Sequence, residues 1–157
     1  MVNTEYHDES ELIDDELFAD FVANSEIFQS VTRNRKYSDI DYIGIDLKGR
    51  KCSIELKKRN FEHTRYSTTL IECHKAWKLI ERYSQFGLIP LYINFFDDAV
   101  LIFDLKKYKP DIDFKYRNMR IYNKGYGEKQ NVWRIELSNA DAIVFKRNNN
   151  NGKYVYE

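Results

Sequence analysis

The stretch Leu88 to Phe96, LIPLYINFF, carries no charge in a chain where charged residues make up 32% of the whole. An almost continuous apolar run of that length reads as a strand buried on both faces. Such a strand needs packed layers above and below it. Pro90 puts its first residues at the strand start or off the hydrogen-bonding ladder. Asp97-Asp98 turns the chain, and AVLIFDL brings it back as a second strand. Upstream, residues 69–86 read as a helix. Thr69 and Glu72 fit a capping box, Leu70, Cys73, Trp77 and Ile80 make the buried stripe, and Gly87 is the stop.

Before that helix, residues 39–47 and 50–58 alternate apolar and polar with period two, the pattern of paired strands. LKG between them forms a three-residue hairpin loop whose glycine takes the left-handed position. This register sets Asp46 opposite Arg50, Asp41 opposite Glu55 and Asp39 opposite Lys57. Strand, helix and strand in this order form a right-handed crossover between parallel neighbours. Residues 9–23 read as an amphipathic helix with Leu12, Ile13, Leu17, Phe18, Phe21 and Val22 on its apolar stripe. Residues 24–37 are a short strand or an irregular connection. Residues 131–137 form a further strand. IVFKRNNNNGKYVYE alternates around an Asn-Gly turn as a closing hairpin, and its asparagine run also suits a disordered tip.

The 157 residues are enough for one compact domain with a real core. The expected organisation is a single α/β domain over 1–157, with a core at about 9–105 and a C-terminal strand and loop extension at 106–157. No apolar run approaches the ~20 residues of a membrane span. The N-terminus lacks a signal-peptide pattern, so a cytoplasmic protein, phage or bacterial, is expected. Cys52 and Cys73 provide neither a disulfide framework nor a zinc set and suit small core positions. Net charge is zero, but residues 1–30 hold nine acids and no Lys or Arg, leaving +9 on residues 31–157. A basic body of this kind suits a polyanionic partner.

The chemistry concentrates on the hairpin. Asp41 and Glu55, directly opposite on one face, repel unless something binds between them. Magnesium fits, because one or two carboxylates plus substrate phosphate often hold it. Lys57, on the same face, can orient or help deprotonate a water and stabilise charge building on a phosphate. These parts suffice for phosphodiester hydrolysis.

Asp41, a gap of fourteen, then Glu55-Leu56-Lys57 resembles the PD-(D/E)xK nucleases. That superfamily includes restriction endonucleases, Holliday-junction resolvases and the nuclease domains of recombination helicases. The resemblance implies a restriction-endonuclease-like core of helix, three-strand meander, helix and strand, a central mixed sheet flanked by helices, with additional C-terminal strands. It implies magnesium at Asp41 and Glu55, with manganese able to substitute, and a catalytic role for Asp41, Glu55 and Lys57. Asp39, two residues away on the same face, rivals Asp41 as a ligand or touches a second metal. An acid from the first helix, Glu16 or Asp20, is a further candidate. The implied activity is a metal-dependent endonuclease acting on DNA, branched or structured in the manner of a resolvase substrate, with a homodimer bringing two sites to two strands.

Around this site, Lys58 and Arg59 extend the basic rim. Lys75 and Glu72 share a polar side of the second helix, where they can meet phosphate or support the site. Arg117, Arg120 and Lys124 belong to a basic, tyrosine-rich stretch, residues 106–130, with the composition of a nucleic-acid surface. His63 lies in the polar loop beyond the tripeptide. Two other readings stay open: a catalytically inactive nuclease-fold interaction protein, suggested by the neutral charge and acidic N-terminus, and RNA cleavage by the same site.

Overall fold

The computed structural model describes the backbone of residues 4–34, 40–107, 115–123, 126–148 and 154–156, and the side chains of 15–34, 40–107, 132–147 and 155–156. Chain order is α1 (Thr4–Ser25), β1 (Phe28–Arg33), β2 (Tyr42–Asp46), β3 (Lys51–Lys58), β4 (Thr68–Glu72), α2 (Cys73–Phe86), β5 (Ile89–Phe95) and β6 (Ala99–Asp104). There follow β7 (Lys115–Asn123), β8 (Tyr126–Glu136), β9 (Ala142–Asn148) and β10 (Tyr154–Tyr156). Seven strands make one sheet in the order β1-β2-β3-β5-β6-β9-β10, and β4-β8-β7 make a smaller one. The fold is mixed α/β. Neighbours in the large sheet are antiparallel except β3 and β5, the parallel pair joined through α2.

The period-two alternation of β3 and β5 creates a core on each face of the sheet. Ile54, Leu91, Ile93 and Phe95 point to one side, where Phe18 and Phe21 of α1 cover them with Phe28, Tyr42 and Tyr156. The rings meet edge to face, Phe18 on Tyr42 at 4.7 Å and Phe21 on Phe95 at 5.4 Å between centroids. Tyr92, Leu101 and Phe103 share the other side with Ala76 and Leu79 of α2 and with Ile71, Trp133 and Ile135 of the small sheet. All seven residues of β5 are buried, as its composition requires. Cys52 and Cys73 are buried free thiols. No helix among the described residues is long and apolar enough to cross a membrane.

The expected hairpin register is observed. Tyr42 pairs with Ile54, Ile43 with Ser53 and Gly44 with Cys52. Asp46 N donates to Arg50 O at 3.0 Å, and Gly49 closes the loop with φ of 80°. Residues 28–33 resolve as a strand, and the segment read as 131–137 begins at Tyr126.

Three expectations are corrected. Residues 68–72 are not the start of the second helix but a strand, paired antiparallel with β8. Glu72 sits at the N-cap with extended backbone and no side-chain cap bond, so no capping box forms with Thr69. The β-branched Thr68, Thr69 and Ile71 favour a strand, and pairing with β8 decides the contest. The buried stripe of α2 is therefore Cys73, Ala76 and Leu79, while Trp77 is 45% exposed and rests edge-on against Trp133. Helices alone do not flank the sheet, because α2 shares its face with the small sheet.

Candidate active site

Three adjacent strands build the site. β2 begins just after Asp41, β3 carries Glu55 and Lys57, and β5 sets Tyr92 beside Glu55 and Asn94 beside Lys57. Side chains at 53, 55 and 57 project toward the α2 face. Glu55 is therefore not on an open surface: it is only 4% exposed. Asp41 stands across the hairpin, where its Oδ2 accepts a hydrogen bond from Leu56 N at 2.9 Å. Its carboxyl is also hydrogen-bonded to that of Glu55. Lys75 reaches down from α2, and its Nζ lies 2.6 Å from Glu55 Oε1.

The electrostatics follow from this crowding. Burial pushes the Glu55 carboxyl up to about 7, and the Asp41 charge adds to the shift while Lys75 opposes it. Lys75 is held above the ordinary lysine range because the attraction of Glu55, Glu72 and Asp41 outweighs the effect of its burial. The Lys57 ammonium is drawn below its ordinary value, first by desolvation and then by the charges of Arg59 and Lys75, although much of the residue's surface is exposed. A cleft of about 170 Å³ opens over these groups, with Glu55, Lys57, Glu72, Lys75 and Tyr92 on its walls. It has room for several waters.

The remaining expected residues divide. Glu72 lines the cleft, with its Oε2 3.4 Å from His74 Nε2. Lys58 follows Lys57 by one residue and so projects to the opposite face, where its charge acts on Lys146. Arg59 is committed to the protein. Its Nη2 donates to Leu70 O at 2.8 Å and to Thr69 Oγ1 at 3.1 Å, and its Nε donates to Asn94 Oδ1 at 3.4 Å. Thr69 in turn donates to Asn94 Oδ1 at 2.6 Å, and Tyr92 Oη donates to Leu70 O at 2.7 Å. This network ties β4 to β5 at the cleft wall. Glu16 and Asp20 are not brought to Glu55, because α1 covers the other face, where Asp20 accepts from Tyr156 Oη at 3.0 Å. Arg117 and Arg120 lie on β7, in register with Val132 and Lys129. Asp39 and Lys124, and the side chains of Arg117 and Arg120, lie outside the described residues.

Sequence reasoning did not anticipate the partnership of Lys75 with Glu55, nor the Arg59–Thr69–Tyr92–Asn94 network. The signal for the network was Tyr92 and Asn94, two polar groups spaced by two inside an apolar run. His63 is also engaged: its Nδ1 lies 2.7 Å from Asp98 Oδ2, and its backbone N donates to Asp98 Oδ1 at 2.9 Å.

Two carboxylates in contact, one of them buried and pushed toward neutrality, are a donor set that a hard divalent cation fits. Among the described residues no group of three or more His, Cys, Asp or Glu converges on a metal position, so Asp41 and Glu55 would be the protein's carboxylate donors, with waters completing the coordination.

No family model and no curated protein matches the sequence. The fold is similar to that of Hjc, a Holliday junction resolvase from the archaeal hyperthermophile Archaeoglobus fulgidus. The likeness covers 80% of this chain and 81% of that one, with a TM-score of 0.50 and 13% identity. At that identity the likeness is one of fold, and the chain's mixed α/β architecture is of the Hjc kind.

Proposed function

We propose that the protein is a magnesium-dependent endonuclease of the PD-(D/E)xK type that hydrolyses phosphodiester bonds in DNA, with branched or structured DNA as its substrate. The carrying observation is a cleft lined by Glu55, Lys57 and Lys75, in which Glu55 is pushed up to about 7 by burial and by the charge of neighbouring Asp41. The fold likeness to a resolvase supports the same reading.

In this reading Asp41 and Glu55 hold the cation, and manganese substitutes for it. When bound, the cation supplies Lewis-acid stabilisation of phosphate oxygens. Lys57 faces the phosphate and stabilises the negative charge that develops on it. Lys75 holds Glu55 at the cleft floor and neutralises it when no cation is present. Glu72 keeps Lys57 and Lys75 charged. The protein works in the cytoplasm as a single nuclease-like domain, and as a homodimer two such sites meet the two strands of a junction.

The test is digestion of a supercoiled plasmid, a synthetic four-way junction and a matching RNA in magnesium. DNA cleavage that disappears in Glu55→Ala and Lys57→Ala is the expected result. Equal cleavage by the wild type and both variants would overturn the assignment, and cleavage confined to RNA would change the substrate.

A further inference from the structure

A second cavity opens on the far side of Arg59 and Leu70 from the Glu55 cleft; these two residues line both. It encloses about 390 Å³, with Phe61, Tyr66, Thr68, Phe96 and Arg134 on its other walls. That volume falls within the roughly 300–1,000 Å³ typical of small-ligand sites. Phe61 is its aromatic centre. The Tyr66 ring stands edge-on at 5.2 Å and the Phe96 ring lies at 5.9 Å. The Arg65 guanidinium is 5.6 Å from the Phe61 centroid and 5.5 Å from that of Tyr66. Tyr66 remains 53% exposed, so packing leaves much of it uncovered.

The loop that carries these rings is held in place at three points. Phe61 O accepts from Asp97 N at 3.0 Å, Ser67 O accepts from Leu137 N at 2.8 Å, and His63 is gripped by Asp98. The cavity is therefore preformed. Its chemistry combines flat aromatic surface with the Arg134 guanidinium and the Thr68 hydroxyl. Aromatic rings stack with the face of any base, and Arg and Thr donate to the carbonyl and ring-nitrogen acceptors on base edges. The neighbouring cleft offers ammonium groups of the kind that receive phosphate. A ligand filling both cavities alternates flat heterocycles with anions along a chain, which is the repeat of a nucleic-acid strand.

We propose that this second cavity receives an unpaired nucleobase of the DNA strand whose adjoining phosphate occupies the Glu55 cleft; the inference rests on the nuclease reading above. A base inside a duplex is stacked and paired, and removing it costs energy. Occupation therefore favours DNA that already presents an unpaired nucleotide, at a branch, a gap or an end. The cavity turns a structural feature of DNA into a positional cue for cleavage, without reading sequence.

The test uses a DNA duplex carrying the fluorescent adenine analogue 2-aminopurine, either at one unpaired nucleotide or fully paired at the same position. Binding is followed by anisotropy and 2-aminopurine emission in calcium, and cleavage of the same DNAs is followed in magnesium. The wild type is expected to bind the unpaired form at least ten-fold more tightly and to quench its emission. Tyr66→Ala loses both the quench and the preference, and Tyr66→Phe retains them. Equal affinity for the two DNAs, or a quench unchanged in Tyr66→Ala, overturns the cavity assignment while cleavage leaves the nuclease reading standing. Neither binding nor cleavage of either DNA by the wild type overturns both.

Discussion

Between its ordinary value of 4.5 and about 7, Glu55 binds its proton more tightly in the folded chain than in the unfolded one. Stability therefore falls as pH rises through that window and levels off above it. The shift corresponds to about 3 kcal/mol. Glu55→Gln is expected to melt close to the wild type at pH 5, where both folded chains carry a neutral group, and to be more stable by about 2–3 kcal/mol at pH 8, the opposing pull of Lys75 being already contained in the shift. Thermal unfolding at the two pH values measures this. Lys75→Met acts in the opposite sense, leaving Glu55 buried beside Asp41 without its cation. A fully buried pair broken on one side costs ~3–5 kcal/mol. The Lys75 side chain is 39% exposed, so about 1–3 kcal/mol is expected at pH 8 after that discount, and less at pH 5. Denaturant titration distinguishes the two conditions. The placement of Asp41 across the hairpin from Glu55 was legible because a three-residue loop and strict alternation fix the register. The part played by Lys75 was not, because it depends on the rotation of α2, and the misplaced start of that helix concealed it.

At the scale of elements, β3, β5 and β6 announce themselves by apolar content and by their turns, whereas β4 does not. Thr69 and Glu72 mimic a capping box, and the partner that makes residues 68–72 a strand lies sixty or more residues away in β8. Local sequence carries no trace of so distant a pairing. The Arg59 network is illegible for the same reason, since it requires the end of β3, β4 and β5 to converge. Arg59→Ala removes the hydrogen bonds to Leu70, Thr69 and Asn94. We expect a loss of about 2–4 kcal/mol, because bonds to charged donors contribute more than neutral ones. Amide hydrogen exchange should show β4 losing protection ahead of β5. At the end of α2, Gly87 has φ of 69° and its N–H bonds to Tyr83 O at 2.9 Å. Gly87→Ala is expected to cost about 1 kcal/mol in chemical denaturation.

Among the described residues, the large sheet separates two cores. α1 and its aromatic cluster lie on one side, and the Glu55 cleft, α2 and the small sheet lie on the other. Phe21→Ala removes a fully buried ring and is expected to cost ~3–5 kcal/mol. The folded variant should nevertheless titrate Glu55 as the wild type does, because the change lies across the sheet. The central proposal is that Asp41 and Glu55 together hold a divalent cation. Carbon-13 NMR of the Glu55 carboxyl against pH, with and without magnesium, tests it most directly. A titration near 7 that drops well below 4.5 when magnesium is added is the predicted result. A carboxyl that titrates near its ordinary value without magnesium, or one that magnesium leaves unmoved, would contradict the account.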